Sequence, residues 1–480
     1  LGDVYKRQHL GHVLPLSFYN TLDRKKETFK PLVDGQVGMY VCGVTPYDHS
    51  HVGHARVYVV FDTLYRLLKA GGWKAKYVRN FTDIDDKIIA RASEIGEDPL
   101  NLSKRFIASF HEDMKALNVL TPDHEPMVTT HIPEIVLMIQ DLVANGSAYV
   151  TASGDVMYRV SSFEGYGKLS GKNVKDLQAG ARVDVNDEKE APADFALWKA
   201  AKPGEPNWES PWGNGRPGWH IECSAMSSKY LGKTFDIHAG GEDLQFPHHE
   251  NEIAQSEACN GCAYVTTWLH NAFITVDGKK MSKSVGNFIT IKDVLKDYHG
   301  EAMRLFILTT HYRKPVDFSD EALSAATTAI EKFYRGLYRS MHLEMDSAHF
   351  NEEILSEFYE SLADDLNTPQ ALALMHQVLK SLNNNLDSGQ NEHAARDRAT
   401  LLHMGHVMGM LYQDPKTYLE GKPTSLSSDM SDDDIAKMIA ERNEARNNKN
   451  FARSDEIRDE LMAKGIMIED SATGTSWRRG

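Results

Sequence analysis

The sequence predicts an α/β protein in which a parallel sheet with an insertion is followed by a helical bundle and a small C-terminal unit. The apolar run 37–41 leads into a polar turn, an amphipathic segment at 55–68 and a second strand-like run at 75–79. Strand, turn, helix and strand in this order form the βαβ unit of a Rossmann-type, nucleotide-binding parallel sheet. A strand pattern at 235–238 predicts that the sheet resumes later, and residues from about 288 to 412 are largely helical.

Turn-rich stretches and changes in pattern divide the chain into regions. We expect a non-native tail at 1–13, a Rossmann-type domain at 14–127 and 212–261, a connective insertion at 128–211, a region with a lysine-containing loop at 262–323, a helical bundle at 324–415, a linker at 416–430 and a terminal unit at 431–480. The tail is expected because residues 3–8 read like a translated sequencing-library adapter.

Composition sets limits on function. Hydrophobic residues make up 41% and charged residues 25% of the 480 residues, as in ordinary globular proteins. No run approaches the roughly 18 apolar residues needed to cross a membrane. Four cysteines are too few for a disulfide scaffold, which favours a reducing, cytoplasmic location. The net charge of −15 means that any RNA binding must depend on local basic patches.

Two motifs suggest phosphate binding. His51-Val52-Gly53-His54 opens the first helix, where free backbone N–H groups attract anions; His51 and His54 can add donors to ATP phosphates, and Gly53 leaves room for adenine. Lys280-Met281-Ser282-Lys283-Ser284 follows a turn, so that Lys280 and Lys283 can neutralise a leaving pyrophosphate. Alone, each motif also fits ordinary surface residues. A similar His9–His12 stretch has no strand before it.

Cys42, Cys223, His248 and Glu252 form a candidate zinc site. His248 and Glu252 are four residues apart after Pro247, so a helix would place both side chains on one face. Two thiolates, an imidazole and a carboxylate suit zinc, although buried cysteines are more often simple hydrophobic residues. Cys259 and Cys262 have CxxC spacing without a partner pair, and we expect them to be reduced and metal-free.

Together these motifs resemble class I cysteinyl-tRNA synthetases, from Tyr19 to Arg479. The family signatures known as HIGH and KMSKS correspond to His51–His54 and Lys280–Ser284. Further matching motifs are Asn80–Lys87, Ala179–Val183, Gly218–Ser224 and Phe246–Glu252.

The resemblance implies a specific chemistry: cysteine and ATP form cysteinyl-adenylate with release of pyrophosphate, and cysteine then passes to the 3′ end of tRNA(Cys). It implies one zinc ion on Cys42, Cys223, His248 and Glu252 that takes the substrate thiolate, and Mg²⁺ accompanying ATP. The implied site residues are His51, His54, Lys280 and Lys283 for catalysis, His51, Gly53, His54, Asp243 and Lys283 for ATP, and Gly43, Thr82, Trp219 and His238 for the amino acid. Region 262–323 would contact the tRNA stem.

The terminal unit carries the RNA-binding prediction. Arg442, Arg446, Trp477 and Arg478 supply positive charge and a ring for stacking on anticodon bases. Composition alone fits a charged helix pair equally well, and the resemblance favours an anticodon-binding unit. We expect the chain to act as a monomer.

Three other functions compete with this interpretation. A cysteine ligase of mycothiol biosynthesis would share the metal and ATP sites but lack residues equivalent to 431–480. A non-catalytic zinc- or RNA-binding paralogue would show damage at His51, His54 or Lys283, which are all intact. A cytidylyltransferase-type enzyme leaves the four metal-ligand candidates unexplained.

Overall fold

The structure is a computed structural model that describes residues 13–172, 188–276, 278–281, 286–344, 350–421, 432–448, 450–463, 466–471 and 474–479. The predicted tail apart from Val13, the motif Ala179–Val183 and Lys283 lie outside these ranges. Among the described residues, no helix combines the length and apolar character required to cross a membrane.

The N-terminal half contains the elements of the βαβ unit. A hairpin of β1 (Ser17–Asn20) and β2 (Lys25–Thr28) precedes β3 (Gln36–Val41), α1 (Val52–Ala70), β4 (Lys74–Arg79), α2 (Asp86–Ile95) and α3 (Pro99–Ala116). These bounds confirm the predicted strand, helix and strand at 37–41, 55–68 and 75–79. Leu14, near the first of the described residues, is part of the fold, because its N–H donates to Gly71 O at 3.0 Å.

An antiparallel sheet forms the insertion. Helix α4 (Ile132–Ala144) leads into β5 (Ala148–Val150), β6 (Val156–Tyr158), β7 (Phe195–Ala200) and β8 (Gly215–Pro217), paired in this order. Because β8 pairs with β7, the antiparallel sheet continues past residue 211, the boundary expected from the sequence.

The chain then returns to the parallel sheet through α5 (Trp219–Leu231), β9 (Phe235–Gly241), α6 (His248–Asn260) and β10 (Val265–Asn271). The strand order is β10-β9-β3-β4, and all three neighbouring pairs are parallel. Every residue of β9 is buried, as expected where helices cover both faces of a parallel sheet. Strand β10 lies after residue 261, the expected end of this domain, and pairs with β9 at the edge of the sheet.

A small sheet and a helical region follow. Strands β11 (Ile274–Val276), β12 (Lys279–Lys280) and, after helices α7 (Ile291–Asp297) and α8 (Gly300–Leu308), β13 (Val316–Phe318) form a sheet of order β12-β11-β13. The bundle helices are α9 (Asp320–Arg339), α10 (Glu352–Ala363), α11 (Thr368–Asp387) and α12 (Asn391–Val407). Leu64 of α1 and Met404 of α12 belong to one hydrophobic core, so the bundle packs directly on the catalytic half.

The end of the chain is a separate small unit. Helix α13 (Pro415–Glu420), capped by Asp414, replaces the start of the linker expected at 416–430. Helices α14 (Asp432–Asn447) and α15 (Phe451–Ala463) match the helical segments expected in the terminal unit. A hairpin of β14 (Ile466–Ser471) and β15 (Gly474–Arg479), which the sequence analysis did not predict, packs with them around Ile435, Ile457 and Ile466.

Candidate active site

The four predicted metal ligands converge at one end of the parallel sheet. Cys42 directly follows β3, Cys223 lies in α5, and His248 and Glu252 lie in the first turns of α6. All four side chains are buried, and one ligand atom from each lies within 4.8 Å of the others. Parallel pairing of β3 with β9 aligns the carboxyl ends of the two strands. This alignment brings together residues that are about 200 positions apart in the sequence.

The distances fit a tetrahedral zinc ion. Two sulfurs bonded to the same zinc at about 2.3 Å are about 3.8 Å apart, and a sulfur and a carboxylate oxygen about 3.5 Å. The Sγ atoms of Cys42 and Cys223 are 3.8 Å apart, and Cys42 Sγ is 3.6 Å from Glu252 Oε1. Glu252 Oε1 and His248 Nε2 lie at a hydrogen-bond distance of 2.9 Å, where metal binding would displace a shared proton.

A second group of potential ligands, which the sequence analysis did not identify, shares two of the same residues. Cys42, His238, His249 and Glu252 also offer ligand atoms within 4.8 Å of one another. We favour the first group because it contributes two sulfurs, which are softer ligands and suit zinc. The adjacent pair His248-His249 was a visible signal for His249, but sequence could not decide which ring faces the thiols.

Mutual interactions shift the acidities of these groups. Burial raises the pKa of the Cys42 thiol well above its usual value, whereas hydrogen bonding from Cys42 lowers the pKa of Cys223 to about 6. Although burial opposes ionisation, His238 and His248 hold the pKa of the Glu252 carboxyl well below its usual range. Despite its burial, His248 has its pKa raised to about 10, chiefly by Glu252. The site therefore stores negative charge that a divalent cation can neutralise.

Neighbouring side chains orient the His248 ring. Its Nδ1 lies 2.9 Å from His220 Nδ1, and the Trp219 ring stacks on it with centroids 4.2 Å apart. A second bond on the far nitrogen is how proteins usually fix the tautomer of a metal-binding histidine, leaving Nε2 for the metal. Trp219, predicted to contact the amino acid, thus lies directly beside a metal ligand.

The other predicted amino-acid contacts surround the two cysteines. Thr82 donates its hydroxyl to Glu222 Oε2 at 2.8 Å, and the Gly43 N–H donates to Asn80 Oδ1 at 2.9 Å. Asn80 Oδ1 is also 3.7 Å from Cys223 Sγ. The structure therefore shows that Asn80 and Glu222 bond to two of the predicted contacts. Both lie within motifs already noted, but only the fold reveals these bonds. His238 Nε2–H donates to Glu252 Oε2 at 2.7 Å.

The two histidines of the first motif cap α1. His51 Nδ1 accepts from Gly53 N–H at 3.1 Å, and His54 Nδ1 accepts from His51 N–H at 3.2 Å. Their rings stack with centroids 3.7 Å apart, and burial lowers the pKa of His54 well below its usual value. A neutral ring that accepts at Nδ1 carries its proton on Nε2, so each of the two rings has its N–H on Nε2.

Both ends of the lysine loop lie near this helix start. Lys280 ends β12, although its side chain and the whole of Lys283 fall outside the described part of the chain. On the far side of the loop, Val52 N–H donates to Ile289 O at 3.1 Å, and the rings of His51 and Phe288 are 5.2 Å apart. Asp243 follows the carboxyl end of β9, the edge where parallel sheets bind nucleotides.

The predicted RNA-binding residues differ in exposure. Arg446 is exposed, but Arg442 is only 5% exposed and the Trp477 ring packs on the small core of the terminal unit. The Arg478 side chain lies outside the described residues. Arg453 forms ion pairs with three glutamates of the same unit.

The CxxC pair lies at the end of α6, away from the candidate metal ligands at its start. Cys259 Sγ is 3.9 Å from Asp141 Oδ2, and burial raises its pKa to about 11. Cys262 is exposed and accepts a hydrogen bond from Thr234. Neither cysteine belongs to the two groups of metal-ligand candidates found among the described residues.

Comparison with known proteins identifies the family. The model of the class I (C) tRNA synthetase catalytic domain matches residues 28–328, a DALR domain matches 357–413, and a cysteinyl-tRNA ligase anticodon binding domain matches 430–478. The cysteine–tRNA ligase of Idiomarina loihiensis is 50% identical over 469 residues, covering 97% of this chain and 100% of the relative. The chain belongs to the cysteine–tRNA ligase family. The enzyme of Methylococcus capsulatus is 52% identical over 467 residues with the same coverage.

Solved structures confirm the class I synthetase fold. Mycobacterium tuberculosis methionyl-tRNA synthetase with methionyl-adenylate superposes with a TM-score of 0.56 and 16% identity, covering 78% of this chain and 89% of that one. Agrobacterium radiobacter K84 LeuRS, in a ternary complex with tRNA and LeuAMS, gives a TM-score of 0.58 and 11% identity over 81% and 87% of the two chains. The chain is thus a class I aminoacyl-tRNA synthetase that acts as a cysteine–tRNA ligase.

Proposed function

We propose that Cys42, Cys223, His248 and Glu252 hold one zinc ion that recognises the thiol of cysteine. The observation that carries this proposal is the 3.8 Å separation of the two sulfurs in a buried site that also offers an imidazole and a carboxylate. When bound, zinc lowers the pKa of a coordinated thiol and discriminates against a hydroxyl, which is a poorer ligand and stays protonated. With serine in the site, the zinc ion would lack a thiolate ligand from the substrate.

The remaining pocket residues position the amino acid. Thr82, Gly43, Trp219 and His238 border the cysteine sulfurs and are proposed to orient the substrate amine and carboxylate. In such a pocket, a substrate that leaves buried groups unpaired is rejected by about 10⁴–10⁵. Selection in this single pocket therefore makes a separate editing site unnecessary.

Adenylate formation is proposed to take place between α1 and the lysine loop. The substrate carboxylate attacks the α-phosphate of ATP, which loses Mg²⁺-bound pyrophosphate. His51 and His54 donate to the phosphates, Gly53 and Asp243 contact the nucleotide, and Lys280 and Lys283 stabilise the charge that develops on the pyrophosphate. The protein contributes positioning and electrostatics to this step and no covalent nucleophile.

Transfer to tRNA is proposed to involve the terminal unit and region 262–323. A hydroxyl of the 3′-terminal ribose of tRNA(Cys) attacks the carbonyl carbon of the adenylate, the carbonyl–phosphate bond breaks and AMP leaves, while region 262–323 contacts the stem. The proposed anticodon contacts are Arg442, Arg446, Trp477 and Arg478. Of the three whose side chains the structure describes, Arg446 is the most accessible. We also propose that the chain acts as a monomer.

Cysteine-dependent exchange of pyrophosphate into ATP tests the proposal. We expect exchange by the wild-type protein with cysteine and almost none with serine, and bound zinc near one equivalent. Cys223→Ser should lose both zinc and exchange. Equal exchange with both amino acids would refute zinc-based selection, as would wild-type exchange by a zinc-free Cys223→Ser protein.

A further inference from the structure

Arg56 is a buried cation on α1, two residues after His54. Its side chain is 1% exposed; burial lowers its pKa to about 10, and the Glu242 carboxylate acts against that shift. Its guanidinium donates to four backbone carbonyls: those of Phe273, His311, Tyr312 and Lys314. A buried side chain that binds so many carbonyls acts as a cross-link between segments.

The four carbonyls flank the small sheet that leads to the lysine loop. Phe273 immediately precedes β11, and residues 311–314 immediately precede β13. Because β12 pairs with β11 and β11 with β13, all three strands move as one unit. The first lysine of the loop, Lys280, is the last residue of β12. Arg56 therefore ties the near end of the loop to the histidine-bearing helix.

Other contacts fix the far end of the loop and segment 311–314. The far end of the loop is attached to α1 directly, through the bond from Val52 N–H to Ile289 O at 3.1 Å. On the bundle side, Asp365 accepts from Tyr312 Oη–H at 2.7 Å and from Arg313 Nε–H at 2.8 Å. Segment 311–314 is thus clamped between Arg56 and Asp365, and the sheet has little freedom to slide along α1.

We infer that Arg56 is a positioning residue for adenylate formation, which sets the distance between the His51–His54 pair and the lysine loop. The inference rests on the proposed function, because both elements must reach the same triphosphate. Displacing a positioning group by about 1 Å can cost about 10²-fold in rate. A lysine in place of Arg56 keeps the charge but has no planar fork to reach carbonyls on two segments at once.

Arg304 on α8 provides a matched control. It is equally buried, at 0% exposed, and donates to the carbonyls of Met408 at 2.7 Å and Leu117 at 3.1 Å, with Asp62 as its ion-pair partner. These partners lie on the bundle, after α3 and on α1. Arg304→Lys should therefore perturb packing to a similar degree without loosening the sheet that carries the loop.

The test is single-turnover adenylate formation, normalised to active sites counted by the burst of adenylate. For Arg56→Lys we expect a fall of about 10²-fold in the rate per active site. Its KM for cysteine and its zinc content should stay at wild-type values. Arg304→Lys should lower the melting temperature but keep the wild-type rate per site. If Arg56→Lys cannot be purified folded, Asp365→Asn, which loosens the same segment from the bundle side, should show a fall of about tenfold.

Two outcomes would overturn the inference: a wild-type rate per site in Arg56→Lys (or in Asp365→Asn, if that variant is used), or an equal loss in Arg304→Lys. Failure of the wild-type protein to form cysteinyl-adenylate would instead refute the proposed function, so the two failures are distinguishable.

Discussion

Gly43 should be intolerant of even a methyl group. A Cβ atom built on Gly43 would lie 1.5 Å from Asn80 O, whereas ordinary contacts begin near 3.4 Å. Strands β3 and β4 would have to separate by roughly 2 Å at this point, next to Cys42 and Asn80. Because a shift of about 1 Å can cost about 10²-fold, Gly43→Ala should reduce cysteine-dependent exchange at least that much and lower zinc content.

Gly38→Ala is the control for this experiment, since it adds the same methyl group to the same strand. The nearest atom to its added Cβ is 3.5 Å away, on Leu231, which is ordinary van der Waals contact. Both variants are first checked for folding by circular dichroism. Pyrophosphate exchange and zinc content are then compared between Gly43→Ala and Gly38→Ala. A Gly43→Ala protein with wild-type KM and rate would refute the reasoning that close approach of β3 and β4 shapes the cysteine pocket.

Three further results are expected. Burial raises the pKa of Asp113 to about 7 from its usual 3.8, and no hydrogen bond to its Oδ2 is found among the described residues. The folded state therefore favours the protonated carboxyl. The stability that this group contributes is complete below pH 4 and is lost as the pH rises through 7. Asp113→Asn should therefore be about 2–4 kcal/mol more stable than wild type at pH 8 and little different at pH 4, measured by urea unfolding; an equal difference at both pH values would contradict this. Thr82→Val removes the hydroxyl bonded to Glu222 and should raise the KM for cysteine about tenfold, with the KM for ATP unchanged. A parallel rise in both KM values would exclude a specific role of Thr82 in cysteine binding. Arg446→Ala should lower aminoacylation efficiency about tenfold while leaving pyrophosphate exchange intact, and Lys437→Ala on the same helix is the control. Loss of pyrophosphate exchange in Arg446→Ala, or an equal loss of aminoacylation in both variants, would argue against anticodon binding by Arg446.

The regular elements near the nucleotide site were predictable from local pattern. The apolar run of β3, the amphipathic period of α1 and the spacing of His248 and Glu252 all follow from geometry within a few residues. The approach of Cys42 to Cys223 was predictable only through residue types and resemblance, because it depends on pairing between β3 and β9.

Interactions set by the tertiary fold escaped sequence analysis. The bonds of Asn80 and Glu222 to the cysteine pocket, and the placement of His249 beside Cys42, join segments that lie far apart in the chain. Arg442 was expected on the surface as an RNA contact, yet it lies three residues after Ile439 and so shares the buried face of α14. The positive charge of Arg442 suggested RNA binding, whereas its position on the helix buries its side chain.

X-ray absorption at the zinc edge, with and without cysteine, tests the central claim most directly. The proposed site predicts about one zinc per chain with two sulfur ligands at about 2.3 Å and two lighter ligands. Addition of cysteine should raise the sulfur count to three, and addition of serine should leave it at two. Absence of zinc, or a sulfur count that does not respond to cysteine, would contradict recognition of the substrate thiol by the metal.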